Sequence, residues 1–154
     1  MRRILSLATV LVAAAACQPT SAEFSEEQKA AIADSVTQLS AEMQRAFDNE
    51  DAAYFDYFSE WTTTSAAGRR AHEQNRSETV DNYWANNTQI SESGQPRTVV
   101  LSPDAVVVER AQVNTVTGSD GETQEYDVLL SELWVREEAG WKAILYKFTE
   151  LGVR

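Results

Sequence analysis

Gln124-Glu125-Tyr126-Asp127-Val128-Leu129-Leu130-Ser131-Glu132-Leu133-Trp134-Val135-Arg136, then four residues, then Trp141-Lys142-Ala143-Ile144-Leu145-Tyr146-Lys147-Phe148-Thr149-Glu150: the reading of this stretch decides the fold. Side chains alternate in character along it, and alternation places neighbours on opposite faces of an extended strand. The break, Glu137-Glu138-Ala139-Gly140, is turn chemistry, because Gly tolerates positive φ. So short a connection joins antiparallel neighbours. The same signals recur upstream: from Gln89 onward the period is no longer helical, and strands are predicted at Gln95 to Leu101 and Ala105 to Thr117. Pro103-Asp104 and Gly118-Ser119-Asp120-Gly121 mark the turns between them.

Before Gln89 the period is helical. Ser25-Glu26-Glu27-Gln28 fits a capping box, in which the Ser and Gln side chains each satisfy a backbone N–H at the start of a helix. Ile32, Val36, Leu39, Met43 and Phe47 recur at steps of three and four, so one stripe faces a core while Asp34, Gln38, Glu42 and Arg45 face water. Asn49-Glu50-Asp51 interrupts this helix and offers caps for a shorter one through Ala52, Tyr54, Phe55 and Phe58. The segment from Glu60 to Gln74 has weaker patterning, with β-prone Trp61-Thr62-Thr63-Thr64 and Gly68 as a breaker. Ser77 is read as the cap of a third helix carrying Val80, Tyr83 and Trp84, ended by Asn86-Asn87. Helices first and strands after give a segregated α+β domain over residues 24–154, with helices covering the concave face of a curved antiparallel sheet.

This order resembles the cone-shaped α+β domains of the nuclear-transport-factor-2-like superfamily, in particular its SnoaL-like bacterial branch. The resemblance spans about Ser25 to Leu151. It is carried by the long amphipathic helix with Phe47 near its end, the Asp51-Ala52-Ala53-Tyr54 start of the second helix, and the closing strand pair with its Gly140-Trp141-Lys142-x-Ile144 start. It implies a fold in which N-terminal helices pack on a curved sheet around a hollow or a core. Isomerases, dehydratases, cyclases, hydrolases and non-enzymatic modules all use this fold, so it does not name an activity. Many relatives place His on the last strand, where this chain has Leu145 and Lys147.

The N-terminus is read as an export signal. Arg2 and Arg3 form a positive n-region, Ile4 to Ala13 an apolar h-region, and Ala14-Ala15-Ala16 a small-residue run before Cys17. The stretch is shorter than the roughly 20 apolar residues that cross a bilayer. It resembles a bacterial lipobox, which implies a leader over residues 1–16, a lipid on Cys17 and a tether over residues 17–23; Ala14 stands where a lipobox usually has Leu. The alternative is ordinary cleavage after Ala16, leaving a soluble secreted protein with a free thiol. The expected location is the periplasm-facing cell envelope, held at a membrane through Cys17, or otherwise the secreted fraction.

With Arg2 and Arg3 removed, 11 basic residues face 24 acidic ones and the charge goes from -11 to -13. Nucleic acid is excluded as a partner, because phosphate binding needs clustered Lys and Arg. A hydrophobic fraction of 43%, with four Trp, five Tyr and five Phe, supplies a core. No metal-ligand cluster, Gly-rich phosphate loop or Ser/His/Asp set is present in the pattern, and no cofactor is called for.

Two residues are candidate catalysts. His72, the one histidine, is of the residue type suited to moving protons near neutral pH but lies among Arg69, Arg70, Glu73, Gln74, Asn75 and Arg76, where a solvated surface role is the competing reading. Glu132 falls by parity on the otherwise apolar face of Tyr126, Val128, Leu130 and Trp134, where burial would suit a general base. Its competing reading is an edge carboxylate paired with Arg110 or Arg136. Tyr54, Trp61, Tyr83 and Trp84 are candidate ligand-pocket residues, with plain core packing as the alternative. Three functions follow: a lipid-anchored periplasmic module binding a small apolar ligand or a protein partner; a SnoaL-like isomerase, dehydratase or hydrolase using a pocket carboxylate or His72; and a homodimerisation module using the sheet face.

Overall fold

Helix α1, Glu26–Asp48, begins where the capping box places it: Gln28 N–H donates to Ser25 Oγ at 3.1 Å and Ser25 N–H to Gln28 Oε1 at 2.8 Å. The computed structural model describes residues 24–59 and 66–154. The leader, Cys17 and Trp61 lie outside the described residues. After α1 a short three-ten helix, Ala52–Tyr57, is capped by Asp51, whose carboxylate accepts from Ala53 N–H at 2.9 Å. Helix α2 runs Ala66–Ser77 and continues without interruption into a π-helical segment, Glu78–Trp84. Five strands follow: β1 Asn87–Ser93, β2 Arg97–Ser102, β3 Ala105–Gly118, β4 Thr123–Glu137 and β5 Gly140–Val153.

The five strands pair antiparallel, in the order β1-β3-β4-β5, with β2 also on β3. Strand β3 is long enough for β2 to pair with its first half and β1 with its second, so both lie along one edge of it. The β4–β5 turn closes on Gly140 at φ 115, a conformation a side chain disfavours. This is the segregated α+β architecture, with helices on one face of an antiparallel sheet.

Three expectations are corrected. Ser77 caps nothing: its backbone is helical and its hydroxyl donates along the helix to Asp81 at 2.7 Å. Gly68 lies within α2, where a single glycine costs about 1 kcal/mol against Ala and does not stop a helix that continues on both sides. The predicted strands omit β1. In β1 the residues facing the helices are polar, Gln89 and Ser91, while Ile90 points outward and is 67% exposed. Its alternation is present but inverted.

The core lies between the helices and the inner face of the sheet. Val36 and Met43 of α1 meet Tyr54, Phe55, Trp84, Val106, Val108, Trp134 and Ala143, with Ile32, Leu39 and Phe47 packed beside them. The apolar stripe of α1 is therefore the one the spacing predicts. Two polar residues share it, Ser40 and Gln44, both buried. They answer a polar row on the sheet: the inner face of β3 reads Val106, Val108, Arg110, Gln112, Asn114, all buried, so the core is apolar towards one end and polar towards the other.

Candidate functional site

Between the helices and the middle of β5 there is a cavity of about 650 Å³. Rings from four elements wall it: Phe47 from α1, Tyr54 and Phe58 from the three-ten helix and its end, Tyr83 from the π-helical segment, and Tyr146 and Phe148 from β5. Phe58 is held there because Ser59 N–H donates to Ala143 C=O at 3.0 Å, tying the end of the three-ten helix to β5. Tyr54 is the hub. Its ring stands edge-on to Phe47 at 5.1 Å, Phe58 at 5.2 Å and Tyr146 at 6.3 Å, the arrangement aromatic quadrupoles prefer. Asn75, Glu78, Thr79 and Gln89 add polar atoms to the wall.

The phenols stay protonated. Burial, reinforced by the charge of Glu132, pushes the Tyr54 hydroxyl far above its ordinary value. Tyr146 is raised for the same reason, with Tyr54 and Glu132 adding to burial. Tyr83 is pushed up to about 12, first by burial and then by Asp48. At any physiological pH each is a neutral hydroxyl that can donate one hydrogen bond.

Behind the tyrosines lies an ion pair. Glu132 Oε1 accepts from Arg110 Nη2 at 2.9 Å and Oε2 from Trp134 Nε1 at 2.7 Å, while Arg110 also donates to Ser40 of α1. Both charged side chains are buried, 5% and 1% exposed. Parity correctly places Glu132 on the inner face. Of the two partners considered, Arg110 is the one it takes; Arg136 lies over the ring of Trp141 instead. The pair is not at an edge, because β4 has β3 on one side and β5 on the other.

A second polar cluster borders the cavity near the end of α1. Asp48 Oδ1 accepts from Ser91 Oγ at 2.9 Å, Gln44 Nε2 at 3.0 Å and Gln89 Nε2 at 3.4 Å. Gln89 Oε1 in turn accepts from Tyr83 Oη at 2.6 Å. Burial outweighs these bonds and raises the Asp48 carboxyl above its ordinary value.

The candidates from sequence therefore separate. Tyr54 and Tyr83 line the cavity. Trp84 is a core residue, its ring packed against Phe47, Tyr54 and Phe55. His72 stands edge-on to Phe55 with 6.1 Å between ring centres, outside the cavity lining. Glu132 is likewise one layer behind the lining. Sequence reasoning did not single out Asp48, Gln89, Tyr146 or Phe148. For Tyr146 a signal existed: it is the Cα partner of Glu132 across the β4–β5 pair, so it occupies the inward position between Leu145 and Lys147. Among the described residues, no group of three or more His, Cys, Asp and Glu could hold a metal ion.

The sequence matches no protein-family model and no curated protein. Solved structures are similar in fold. A hexachlorocyclohexane dehydrochlorinase, LinA type 2, superposes with a TM-score of 0.69 at 11% identity over 84% of this chain and 92% of its own. A Novosphingobium aromaticivorans protein named for scytalone dehydratase gives 0.69 at 9% identity, covering 83% and 89%. A second protein of that organism, named for an aromatic ring hydroxylase, gives 0.62 at 18% identity, covering 86% and 95%. These likenesses establish the nuclear-transport-factor-2-like fold.

Proposed function

We propose that this chain is a lipid-anchored module of the cell envelope, attached through Cys17, that holds a small and largely apolar molecule in the aromatic cavity. The cavity itself carries the reading. Its volume, about 650 Å³, is that of a small-molecule site, and its wall is largely apolar, aromatic rings with Ile144 and Leu145, set with a few polar side chains. Burial of a flat apolar molecule there would stabilise the complex at roughly 25 cal/mol per Å² removed from water.

A second reading follows the names of the fold neighbours, a dehydrochlorinase and a dehydratase, and makes the chain a SnoaL-like isomerase, dehydratase or hydrolase. Its carboxylate or imidazole would have to reach the bound molecule. Glu132 already accepts from Arg110 and Trp134, one donor on each oxygen, and His72 stands against Phe55 outside the lining; the carboxylate that does line the cavity, Glu78, accepts from Gln74 Nε2 at 2.7 Å and is not held in a buried setting that would suit a general base. Binding is therefore the reading the geometry favours.

Calorimetric titration with methoxynaphthalene as the probe tests it. The expected result is saturable binding that weakens by about tenfold in Phe148→Glu, which puts a charge on an apolar wall. No saturable binding, or binding unchanged by that variant, would remove the cavity from consideration.

A further inference from the structure

The polar wall of the cavity has a direction. Three donors converge on Asp48 Oδ1, two amide NH2 groups and one hydroxyl, which is the arrangement a carboxylate anion requires. Because an ionised carboxylate can only accept, Gln89 must turn its NH2 towards Asp48. Ser91 reinforces the choice: it donates its single proton to Asp48 and accepts from Gln89 Nε2 at 2.9 Å and from Gln44 Nε2 at 3.2 Å. The Gln89 carbonyl is then left facing Tyr83, and the Tyr83 hydroxyl, having one proton, donates it there at 2.6 Å. What Tyr83 can still offer a molecule in the cavity is the lone pair of its oxygen.

We infer that Asp48, acting through Gln89, holds Tyr83 as a hydrogen-bond acceptor on the cavity wall, so that the site selects apolar molecules bearing a hydroxyl donor, such as a phenol or an alcohol. This rests on the cavity being the binding site and adds the class of molecule it takes. Tyr83 would touch the bound molecule. Asp48 and Gln89 are positioning residues, since Tyr83 could donate to a ligand only by leaving the half-buried Gln89 carbonyl without its partner, which costs the hydrogen bond. Apolar contacts with Phe47, Phe148 and their neighbours are indifferent to this distinction, and the share of the discrimination between a hydroxyl and its ether that Tyr83 supplies is the part lost when its oxygen is removed.

The test compares naphthol with its methyl ether, methoxynaphthalene, by calorimetry on the purified protein. The quantity read is the ratio of their two affinities, which a general loosening of the cavity does not move. Tyr83→Phe, which keeps the ring, and Gln89→Leu, which frees the Tyr83 proton, should each lower the naphthol-to-ether ratio by roughly threefold to tenfold, the worth of one neutral hydrogen bond. Phe148→Ala should weaken both probes together and leave the ratio as it was. A ratio unchanged in Tyr83→Phe while both probes bind would overturn this inference and leave the binding site standing. Failure of both probes to bind would overturn the binding site itself, and this inference with it.

Discussion

Replacing Arg110 by Met strands the Glu132 carboxylate in the core with only Trp134 Nε1 as a donor. Arg110 and Glu132 are 5% and 1% exposed and 2.9 Å apart, so neither charge can recover its hydration once the other is gone. Removing one partner of such a pair costs about 3–5 kcal/mol. Glu132→Leu makes the converse error, leaving the guanidinium with Ser40 as its remaining partner at a cost in the same range of about 3–5 kcal/mol. The double variant leaves no buried charge. Its cost is that of the Ser40 hydroxyl and the Trp134 N–H losing partners, about 1–3 kcal/mol each, set against the gain from apolar side chains of similar volume. The double variant should therefore be no less stable than either single variant, with a coupling of about 3 kcal/mol or more between the sites. Urea unfolding at neutral pH, followed by tryptophan fluorescence, measures all four proteins, and Trp134 sits inside the network being perturbed. Single variants costing under about 1 kcal/mol, or a double variant costing the full total of the two, would refute the picture of a desolvated, mutually dependent pair.

Two further outcomes are expected. Because burial holds the Asp48 carboxyl above its unfolded value, the folded state takes up this proton first, and the group costs stability at neutral pH that is recovered as pH falls through its folded value. Asp48→Asn keeps an acceptor for Gln44, Ser91 and Gln89 without the charge, so it should be more stable than the parent near neutrality, with the advantage shrinking on acidification; urea midpoints measured across the acid range would show the opposite trend if burial were not the dominant cause. Cys17→Ser should move the protein from the detergent phase to the aqueous phase in a phase-partition experiment, and a parent protein already in the aqueous phase would remove the anchor.

How much was legible follows from where each signal resides. The start and apolar stripe of α1 are local: Ser25, Gln28 and the residues at steps of three and four carry them within one helix. The β3–β4–β5 meander is local too, since alternation and turn chemistry are read between neighbours in the chain, and the same parity put Glu132 on the inner face. Strand β1 escaped because its inward residues are polar, and a polar residue reads as solvent-facing until its partners are known. Gln89 and Ser91 face inward because Asp48, 41 and 43 residues earlier, meets them there. Arg110 is buried because Ser40, 70 residues away, and Glu132, 22 residues away, receive its guanidinium. The cavity is the extreme case. Its rings come from α1, the three-ten helix, the π-helical segment and β5, so no window of sequence contains it. Sequence alone determined the segregated α+β order and the inward place of Glu132, because periodicity is a property of adjacent residues. Only the tertiary structure decided which polar side chains go inside and where the hollow lies, because both depend on partners that the chain brings together after long loops have closed.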